Sequence, residues 1–431
     1  MFSLLIYRLL ILLLLPILLL ALLFRSLSNK HYRQRINERL GFFPKPCIKG
    51  GIVVHAASVG EVIALAPFVE QLLASYPSQA ITITTFTPTG SEQVKKLFGD
   101  RVQHGFLPLD VLPCTQLFLS RLQPKLVIFM ETELWPNLIA QCVSNKIKLL
   151  LINGRLSKNS MKSYQKISPL ITPTLNSFEK ILCQSHENYE NFLLLGAESN
   201  RCEISGNLKF DLSVNQATFD KASQLERLLP ADRTVWLVAS THEGDEKLAL
   251  NAFKEIKKQF PTLLLVLVPR HPERFKQVSN LCQNQHYTLA KRSEETQVVA
   301  HDIWLLDTLG ELMAALSLAD IVTMGGSFSQ IGGHNPLEPA LFKKAIIVGS
   351  NMSNFAEIMQ QLQRHDAIVQ LPAPETTDDS EQSRSLARAV IALLKNQQQV
   401  NLLGENAHQV VMANQGASAR TLAEVKALIN G

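Results

Sequence analysis

A repeated rhythm runs through most of this chain: short runs of apolar and β-branched residues alternate with longer amphipathic stretches. In the first half, the predicted strands cover residues 52–55, 80–86, 125–130, 147–152 and 180–183. Helical patterns between them cover residues 62–75, 134–144 and 186–195. Strands that are apolar on both faces and alternate with helices are typical of parallel sheets covered on both sides. The pattern therefore predicts a doubly wound α/β domain.

The rhythm pauses near residues 205–229 and then begins again. The second set of predicted strands covers residues 235–239, 263–268, 303–306, 321–324 and 345–348. A chain of 431 residues is long enough for two domains. We therefore predict a Rossmann-like domain at 31–205, a linker at 206–229 and a second Rossmann-like domain at 230–431, facing each other across a cleft. The last helices, from about residue 380, can cross back to the first domain.

The N-terminal segment is strongly apolar. Residues 9–24 carry no charge, and the apolar run extends back to residue 2 if Arg8 reaches the membrane surface with its long side chain. A cleaved signal peptide is the alternative, but no small-x-small cleavage site follows the run. Instead the segment is followed by basic residues, Arg25, Lys30, Arg33 and Arg35. These features predict one uncleaved anchor at 1–30 with the body in the cytoplasm; whether it crosses the bilayer or dips into one leaflet stays open.

Charge and cysteine content exclude other classes of protein. The net charge of +5 is concentrated in residues 1–40, so the remainder is balanced and offers no basic face for nucleic acid. The six cysteines are scattered singly, without a C-x-x-C pair, and predict reduced thiols rather than a zinc or redox site. The H-E-G-D-E segment at 242–246 lacks the second histidine of a zinc protease motif, and no metal site is predicted.

Carboxylates follow two of the predicted strands in the first half. Glu61 falls in the first turn of a helix, where the helix dipole favours an ionised carboxylate that can accept a proton from a sugar hydroxyl. Taken alone, this position favours a helix-capping role, because acidic residues are common there. Glu131 and Glu133 follow the strand at 125–130 and can orient a substrate, or serve as one capping and one solvated residue.

Two basic residues occupy comparable positions. Lys209 lies near the predicted domain junction, where it can meet a phosphate; taken alone, an exposed linker charge is the more common explanation. Arg270 follows an apolar strand and can hold a phosphate or carboxylate with two parallel hydrogen bonds, or it can be a solvated loop charge. The helix that opens after Asp307 presents N–H groups to an anion.

A glycine-rich loop follows the strand at 321–324. Four glycines within nine residues allow the backbone to approach a ligand closely, and Glu338 can accept hydrogen bonds from ribose hydroxyls. The spacing is neither that of a dinucleotide-binding loop nor that of a P-loop. The loop is predicted to cradle a phosphate and a ribose rather than to be merely flexible.

Eight short segments occur in order along the chain: S-V-G-E, L-P-L-D, E-T-E-L-W-P-N, N-G-R-L-S, G-N-L-K-F-D, V-P-R-H-P-E-R-F, D-T-L-G-E-L and G-G-H-N-P-L-E-P. Together with the apolar N-terminus and R-I-N-E-R-L-G, this set resembles the 3-deoxy-D-manno-octulosonic acid (Kdo) transferases. These are membrane-anchored glycosyltransferases of Gram-negative bacteria with the GT-B fold. The resemblance implies transfer of Kdo from CMP-Kdo to a lipid A precursor, lipid IVA, with inversion at the anomeric carbon and without metal or cofactor. It also implies the cytoplasmic face of the inner membrane as the location, and contact with its lipids.

The resemblance also implies roles for individual residues. Glu61 would be the general base, and Glu131 and Lys209 would stabilise the transition state. The residues implied in binding the CMP part are Pro269, Arg270, Gly310, Glu311, Leu312, Asn335, Pro336, Leu337 and Glu338. Two alternatives remain open at this point: a glycosyltransferase with a UDP-sugar donor, and a membrane-tethered module that binds a nucleotide without catalysis.

Overall fold

The computed structural model describes residues 2–28, 35–230, 232–295, 297–374 and 379–430. The chain divides into two compact units, one formed by Met1–Asp211 with Asn414–Gly431 and the other by Leu212–Ala413. Each unit contains a seven-stranded sheet whose strand pairs are all parallel. Of the basic residues predicted to follow the apolar N-terminus, Lys30 and Arg33 lie outside the described residues.

The first unit alternates strands and helices as the sequence predicts. Its elements in chain order are α1 (Phe2–Ser28), α2 (Ile36–Arg39), β1 (Ile52–His55), α3 (Val59–Ser75), β2 (Ile81–Thr85), α4 (Pro88–Phe98), β3 (Gln103–Phe106), α5 (Leu112–Leu122), β4 (Leu126–Met130), α6 (Pro136–Ser144), β5 (Lys148–Gly154), α7 (Lys158–Gln165), α8 (Ser168–Leu175), β6 (Lys180–Cys183), α9 (His186–Leu194) and β7 (Cys202–Ile204). The strand order is β3-β2-β1-β4-β5-β6-β7. The chain moves toward one edge after β1 and toward the other after β4, so the switch point of the sheet lies between these strands.

Both faces of the first sheet are buried, which explains its continuous apolar strands. In β1, Ile52 and Val54 belong to one hydrophobic cluster and Val53 to the other. The first cluster includes Phe68 of α3, and the second includes Phe118 of α5. Because successive side chains of a strand point to opposite faces, a strand between two helical layers is apolar at most of its positions.

The second unit repeats this architecture. Its elements are α10 (Gln216–Glu226), β8 (Val235–Thr241), α11 (Asp245–Ile256), β9 (Leu264–Pro269), α12 (Phe275–Asn284), β10 (Leu289–Lys291), β11 (Ile303–Leu305), α13 (Leu312–Leu318), β12 (Ile321–Met324), α14 (Leu337–Leu341), β13 (Ala345–Val348), α15 (Ala356–Arg364), β14 (Val369–Gln370), α16 (Asp379–Leu394) and α17 (Gln397–Asn414). The strand order is β10-β11-β9-β8-β12-β13-β14, which places the switch point between β8 and β12.

The chain ends with α18 (Ala417–Asn430), which belongs to the first unit. Its residues Leu422 and Val425 join the same cluster as β1 and α3. Asp211 accepts hydrogen bonds from the backbone N–H groups of Gly416, at 2.6 Å, and of Ser418. The second unit thus ends at Ala413, whereas the sequence analysis extends the second domain to residue 431. The predicted linker at 206–229 contains a 3-10 turn and the whole of α10.

The predicted fold class is confirmed: two parallel α/β units and an apolar N-terminal helix. Within the described part of the chain, the window Ser3–Ala21 of α1 is the one helical stretch long and apolar enough to cross a membrane. Four strands were not predicted: β3, β7, β10 and β14. They have two to four residues and lie at or next to the sheet edges, so their sequences lack a long apolar run.

Candidate active site

Glu61 lies beside the switch point of the first sheet, where β1 ends and α3 begins. Its Oε2 accepts a hydrogen bond from the backbone N–H of Ala57 at 2.9 Å, and its Oε1 accepts one from the hydroxyl of Ser58 at 2.7 Å. Ser58 is also the N-cap residue of α3. The carboxylate therefore caps the helix, in line with the capping interpretation, and both of its oxygens are held in place.

Burial determines the acidity of Glu61, whose exposed fraction is 9%. Burial raises the pKa of Glu61 above its ordinary value, and the hydrogen bonds from Ser58 and Ala57 oppose this rise. The charge of Glu133 raises the pKa further, and His55 lowers it. A carboxylate with a raised pKa holds a proton more readily, which suits a group that must accept one.

Two charged or titratable neighbours act on Glu61: Glu133, in the loop that follows β4, and His55, the last residue of β1. The Nδ1 of the fully buried His55 lies 3.0 Å from Thr84 Oγ1, and its Nε2 lies 3.6 Å from Glu133 Oε2, longer than a hydrogen bond. The indole N–H of Trp135 donates to Glu133 Oε2 at 3.0 Å. Burial raises the pKa of Glu133, but His55 and the Trp135 hydrogen bond outweigh it and leave that pKa below its ordinary value.

Glu131 begins the turn after β4. Its backbone has φ 57°, in the left-handed region, and its N–H donates to the carbonyl of Ile152 on the neighbouring strand at 2.9 Å. The carboxylate that acts on Glu61 electrostatically is thus Glu133, two residues later. From the sequence, Glu133 shared with Glu131 the expectation of orienting a substrate, whereas the family resemblance implied a role for Glu131 alone.

Lys209 lies in a 3-10 turn, Leu208–Phe210, that follows β7. Three buried amide side chains form a network that positions this turn: Asn153 at the end of β5, Gln184 after β6 and Asn207 after β7. Asn153 Oδ1 accepts from the N–H of Leu208 at 2.9 Å. The Gln184 amide donates to Asn153 O at 2.9 Å and accepts from the Asn207 amide at 3.0 Å.

The network holds the Lys209 backbone directly, since Asn207 Oδ1 accepts its N–H at 3.0 Å. The sequence analysis missed Gln184. The available signal was a polar residue directly after the apolar strand at 180–183.

In the second unit, Asp245 ties together the loops on both sides of the switch point. Its Oδ2 accepts from the backbone N–H of His242, after β8, at 2.9 Å and from that of Gly326, after β12, at 2.8 Å. Gly325 makes this close approach possible, because a Cβ there would lie 2.6 Å from Ser240 O. Burial raises the pKa of Asp245 to about 6.

Three histidines gather at the same edge of the second sheet. The rings of His242 and His334 stack with centroids 5.0 Å apart, and their Nε2 atoms are 2.7 Å apart, so one nitrogen donates and the other accepts. His271 packs edge-on against His242 at 5.3 Å. Burial, together with the neighbouring positive charges, lowers the pKa of His334 to about 4. These histidines were not assigned a role from the sequence.

Arg270 follows Pro269 at the end of β9, and its side chain is exposed. Its charge acts on Glu338 at the start of α14. Burial raises the pKa of Glu338 to about 7, while Arg270 and a hydrogen bond with Asn335 oppose the rise. Asn335 Oδ1 accepts the N–H of Leu337 at 3.2 Å, which fixes the turn containing Pro336.

The predicted segment Gly310, Glu311 and Leu312 lies after β11, next to β9 in the sheet. The Glu311 carboxylate accepts hydrogen bonds from Arg292 at 3.1 and 3.2 Å and from the Thr308 hydroxyl. Gly310, with φ 79°, accepts a hydrogen bond from Lys221 at 2.9 Å. Glu311 is thus bound to Arg292 and shapes the loop.

The described residues contain no group of three or more His, Cys, Asp or Glu side chains arranged to hold a metal ion. The two units instead present distinct groups of residues at their strand ends. The first presents Glu61, Glu133 and Lys209. The second presents a positively charged edge with Arg270 and a carboxyl group, Glu338, whose pKa is close to 7.

Two solved structures are similar to this chain in fold. A glycosyltransferase from Rickettsia africae aligns over 89% of this chain and 99% of its own, with a TM-score of 0.53 and 14% identity. A UDP-GlcNAc 2-epimerase from Neisseria meningitidis bound to UDP-GlcNAc aligns over 87% and 99%, with a TM-score of 0.56 and 13% identity. At this identity the likeness shows the fold alone, which is GT-B-like.

Sequence comparisons define the family. Residues 34–212 match the family model described as 3-deoxy-D-manno-octulosonic-acid transferase (kdotransferase). The chain is 41% identical over 408 residues, 92% of each protein, to a 3-deoxy-D-manno-octulosonic acid transferase of Haemophilus influenzae. A transferase of the same description from Rickettsia felis is 36% identical over 74% of this chain and 68% of its own. The chain therefore belongs to the 3-deoxy-D-manno-octulosonic acid transferase family and is a glycosyltransferase, as the motifs predicted.

Proposed function

We propose that this enzyme transfers Kdo from CMP-Kdo to lipid IVA, a lipid A precursor, with inversion at the anomeric carbon and with Glu61 as the general base. In this reaction a hydroxyl oxygen of the acceptor forms a bond to the anomeric carbon of Kdo. The bond from that carbon to the phosphate oxygen breaks, and CMP leaves with the electron pair. The hydroxyl proton passes to Glu61, which later releases it to water.

The observation that carries the proposal is the environment of the Glu61 carboxylate. Hydrogen bonds from Ser58 and Ala57 fix both oxygens, and each oxygen keeps a lone pair for a further proton donor. An inverting transfer needs one base and no protein nucleophile. Its oxocarbenium-like transition state develops positive charge, so the general base does not have to be a strong one. A single, fixed carboxylate with a raised pKa suits that task.

Glu131 and Lys209 are proposed to stabilise the transition state from the loops after β4 and β7. A carboxylate favours the positive charge that develops on the sugar ring, and an ammonium group favours the negative charge of the departing phosphate. The amide network of Asn153, Gln184 and Asn207 supports this role for Lys209, because it fixes the turn that carries the lysine.

CMP is proposed to bind at the strand ends of the second unit. The exposed Arg270 guanidinium, together with the N–H groups around Gly310, Glu311 and Leu312, would meet the phosphate. The turn from Asn335 to Glu338, including Pro336 and Leu337, would meet the ribose, whose hydroxyls can donate to the Glu338 carboxylate. Positive charge from Arg270 then balances part of the charge of CMP as it leaves.

The location follows from the acceptor. A lipid acceptor requires the enzyme to work at a membrane surface, and α1 supplies an apolar helix for that purpose. The basic residues that follow α1 in the sequence favour anionic headgroups on the cytoplasmic side of the inner membrane.

The test is transfer of Kdo to a tetraacyl lipid A precursor, with CMP-Kdo regenerated in the reaction and products weighed by mass spectrometry. We expect transfer by the wild-type enzyme and a loss on the order of 10²–10⁴-fold in Glu61→Ala, the usual contribution of a general base. Glu70→Ala is the matched control, because Glu70 is on the same helix but pairs with Arg101 at the surface.

Two results would contradict the proposal. Equal losses in Glu61→Ala and Glu70→Ala would mean that the helix, and not the base, is affected. No transfer by folded wild-type enzyme, together with thermal stabilisation by UDP and not by CMP, would indicate a UDP-sugar donor instead.

A further inference from the structure

Helix α1 contacts the first unit along most of its length. Near its beginning, the hydroxyl of Ser3 donates to the carbonyl of Pro169 at 2.7 Å. One turn later, the hydroxyl of Tyr7 donates to Asp110 Oδ2 at 2.8 Å, and Arg8 Nε donates to Asn137 Oδ1 at 3.0 Å. The polar side chains in the first third of the helix are therefore bound to the body of the protein.

The contact continues through apolar residues. Ile11, Leu15 and Leu19 of α1 pack against a small cluster of the first unit formed by Leu109, Val111 and Cys114. From Ser3 to Leu19 the helix rises about 24 Å at 1.5 Å per residue. The hydrocarbon core of a bilayer is about 30 Å thick. The first unit therefore contacts the helix over a length equal to most of that thickness.

The contacting residues form one stripe of the helix. Positions 3, 7, 11, 15 and 19 follow the four-residue spacing of one helical face, and Arg8 lies beside them. The opposite face carries Leu9, Leu13 and Leu20, which are 56%, 75% and 54% exposed. An apolar face of this length is not stable in water and requires a cover.

From these contacts we infer that α1 does not cross the bilayer but lies along the first unit, with its outer face, Leu9, Leu13 and Leu20, immersed in the acyl chains of one leaflet. Because Ser3 contacts Pro169, a crossing helix would carry Pro169 to the far side of the membrane. Lys162 and Lys166, which are exposed and close to Pro169 in the sequence, would be carried with it. Lysines and irregular loops are strongly unfavourable where they are exposed to hydrocarbon. An orientation parallel to the surface leaves these lysines in water.

The basic residues near both ends of α1 indicate that a lipid surface covers the exposed apolar face of this helix. Pro169 contacts Ser3 near the beginning of α1, and Lys162 and Lys166 are close to Pro169 in the sequence. Arg25 lies near the end of α1 in the sequence, and Arg35 lies beyond that end. Basic residues at both ends of an apolar helix match a leaflet with anionic headgroups. A second copy of the chain would bring these like charges together.

The docked position of α1 also bears on the lipid acceptor, a step that rests on the proposed function. Asp110 accepts hydrogen bonds from the N–H groups of Asn137 and Leu138, at 2.9 and 2.8 Å, at the start of α6. That helix directly follows the loop of Glu131 and Glu133. A leaflet that receives α1 therefore lies near this loop, where a lipid-borne hydroxyl is needed.

Depth measurements on the full-length enzyme in phosphatidylglycerol-containing vesicles test the inference without any substrate. Spin labels are attached to single cysteines at Leu9→Cys, Leu13→Cys and Leu20→Cys in a Cys47→Ser background, because the other native cysteines are buried. Relaxation by oxygen and by a water-soluble nickel complex then reports the depth of each label. We expect one common depth within the hydrocarbon.

Each other result overturns the inference. A crossing helix separates Leu9 and Leu20 by about 16 Å along the membrane normal and gives a gradient of depth. Labels shielded from both oxygen and nickel would mean that protein covers the face, and labels relaxed mainly by nickel would mean that water does.

The docked arrangement has its own check. The pair Ser3→Cys and Pro169→Cys should form a disulfide on mild oxidation in membranes. The matched pair Leu5→Cys and Pro169→Cys should not, because Leu5 faces away from the body and is 53% exposed. Absence of the first cross-link, or equal yield of both, would contradict docking, while the proposed transferase activity would be untouched by either outcome.

Discussion

The two units share one architecture and carry different chemistry. In each, a parallel sheet has its switch point beside its first strand, β1 or β8, and the candidate site residues lie after strands of that sheet. The first unit holds a buried carboxylate, Glu61, between backbone and hydroxyl donors. The second presents an exposed arginine and a group of histidines. The comparison teaches that the fold fixes where a site lies, and the loop residues fix what the site does.

The two edges also differ in how firmly their residues are held. Glu61 lies in α3, a helix of 17 residues whose core side chains are fully buried. In the second unit, the proposed CMP-binding residues lie in loops and in the first turns of α13 and α14, which have seven and five residues. Proton transfer requires one fixed atom position, whereas recognition of a nucleotide distributes contacts over several loops.

Among the substitutions that distinguish the roles of the two units, Arg270→Ala should have the largest effect. Loss of a charged hydrogen-bonding partner is expected to weaken CMP binding and raise the KM for CMP-Kdo on the order of 10–100-fold. Titration calorimetry with CMP measures this effect, with Arg364→Ala, an exposed arginine of the same unit, as the control. Unchanged CMP binding would remove Arg270 from the donor site.

A smaller effect is expected from Gln184→Leu in the first unit. The substitution leaves the Asn207 amide and the Asn153 carbonyl without their partner and loosens the turn of Lys209. We expect kcat to fall about 10-fold with CMP affinity unchanged, because about 1–3 kcal/mol of positioning and desolvation energy is at stake. Gln165→Leu, at an exposed position, is the control. A change in CMP affinity instead of kcat would break the assignment of this network to the first unit's chemistry.

The pH dependence tests the coupling between Glu61 and Glu133. The negative charge of Glu133 helps to raise the pKa of Glu61, so Glu133→Gln should lower that pKa. Glu61 would then stay ionised to lower pH, and the acid limb of the kcat profile should move to lower pH. Measurement of kcat between pH 4 and pH 8 decides the matter; an unchanged acid limb, or one moved to higher pH, would show that the charge of Glu133 does not raise the pKa of the base.

The smallest predicted effect concerns stability in the second unit. The pKa of Asp245 is raised to about 6, so the folded protein binds a proton there that the unfolded chain has released above about pH 4. The stability due to this group is present at low pH and is lost as the pH rises toward 6. The Tm difference between Asp245→Asn and wild type should therefore grow in favour of the variant from pH 4 to pH 7, by a few degrees. A constant difference would contradict the raised pKa.

Much of the fold was predictable because burial on both faces leaves a direct trace in the sequence. The runs at 52–55, 180–183, 321–324 and 345–348 became β1, β6, β12 and β13 with the predicted bounds. The edge strands were missed, because β3 has a mixed composition and β14 has only two residues. The return of α18 to the first unit was left open, since its pattern shows an apolar face but not which helix covers that face.

The sequence predicted those residues of the candidate site that belong to a recognisable motif. It did not predict contacts between side chains from distant parts of the chain. Glu61 and Arg270 follow strands, and the position of each was evident from the chain. Three other contacts of the site join residues from separate segments of the chain. They are the contact between Glu133 and His55, the pair of His242 and His334, and the amide network around Gln184. A sequence pattern records which residues follow a strand, but distances between them depend on the order of strands in the sheet.

The sequence by itself determined the α/β class, the apolar N-terminal helix and the family, because periodicity and ordered motifs are local properties. Tertiary structure decided that Glu61 is buried with both oxygens bound, that Asp245 joins two loops, and that Ser3, Tyr7 and Arg8 of α1 bind the body. These are contacts between parts of the chain that are far apart in sequence or that depend on burial. Their energies come from desolvation and hydrogen-bond geometry, which exist only once the sheets and helices have packed.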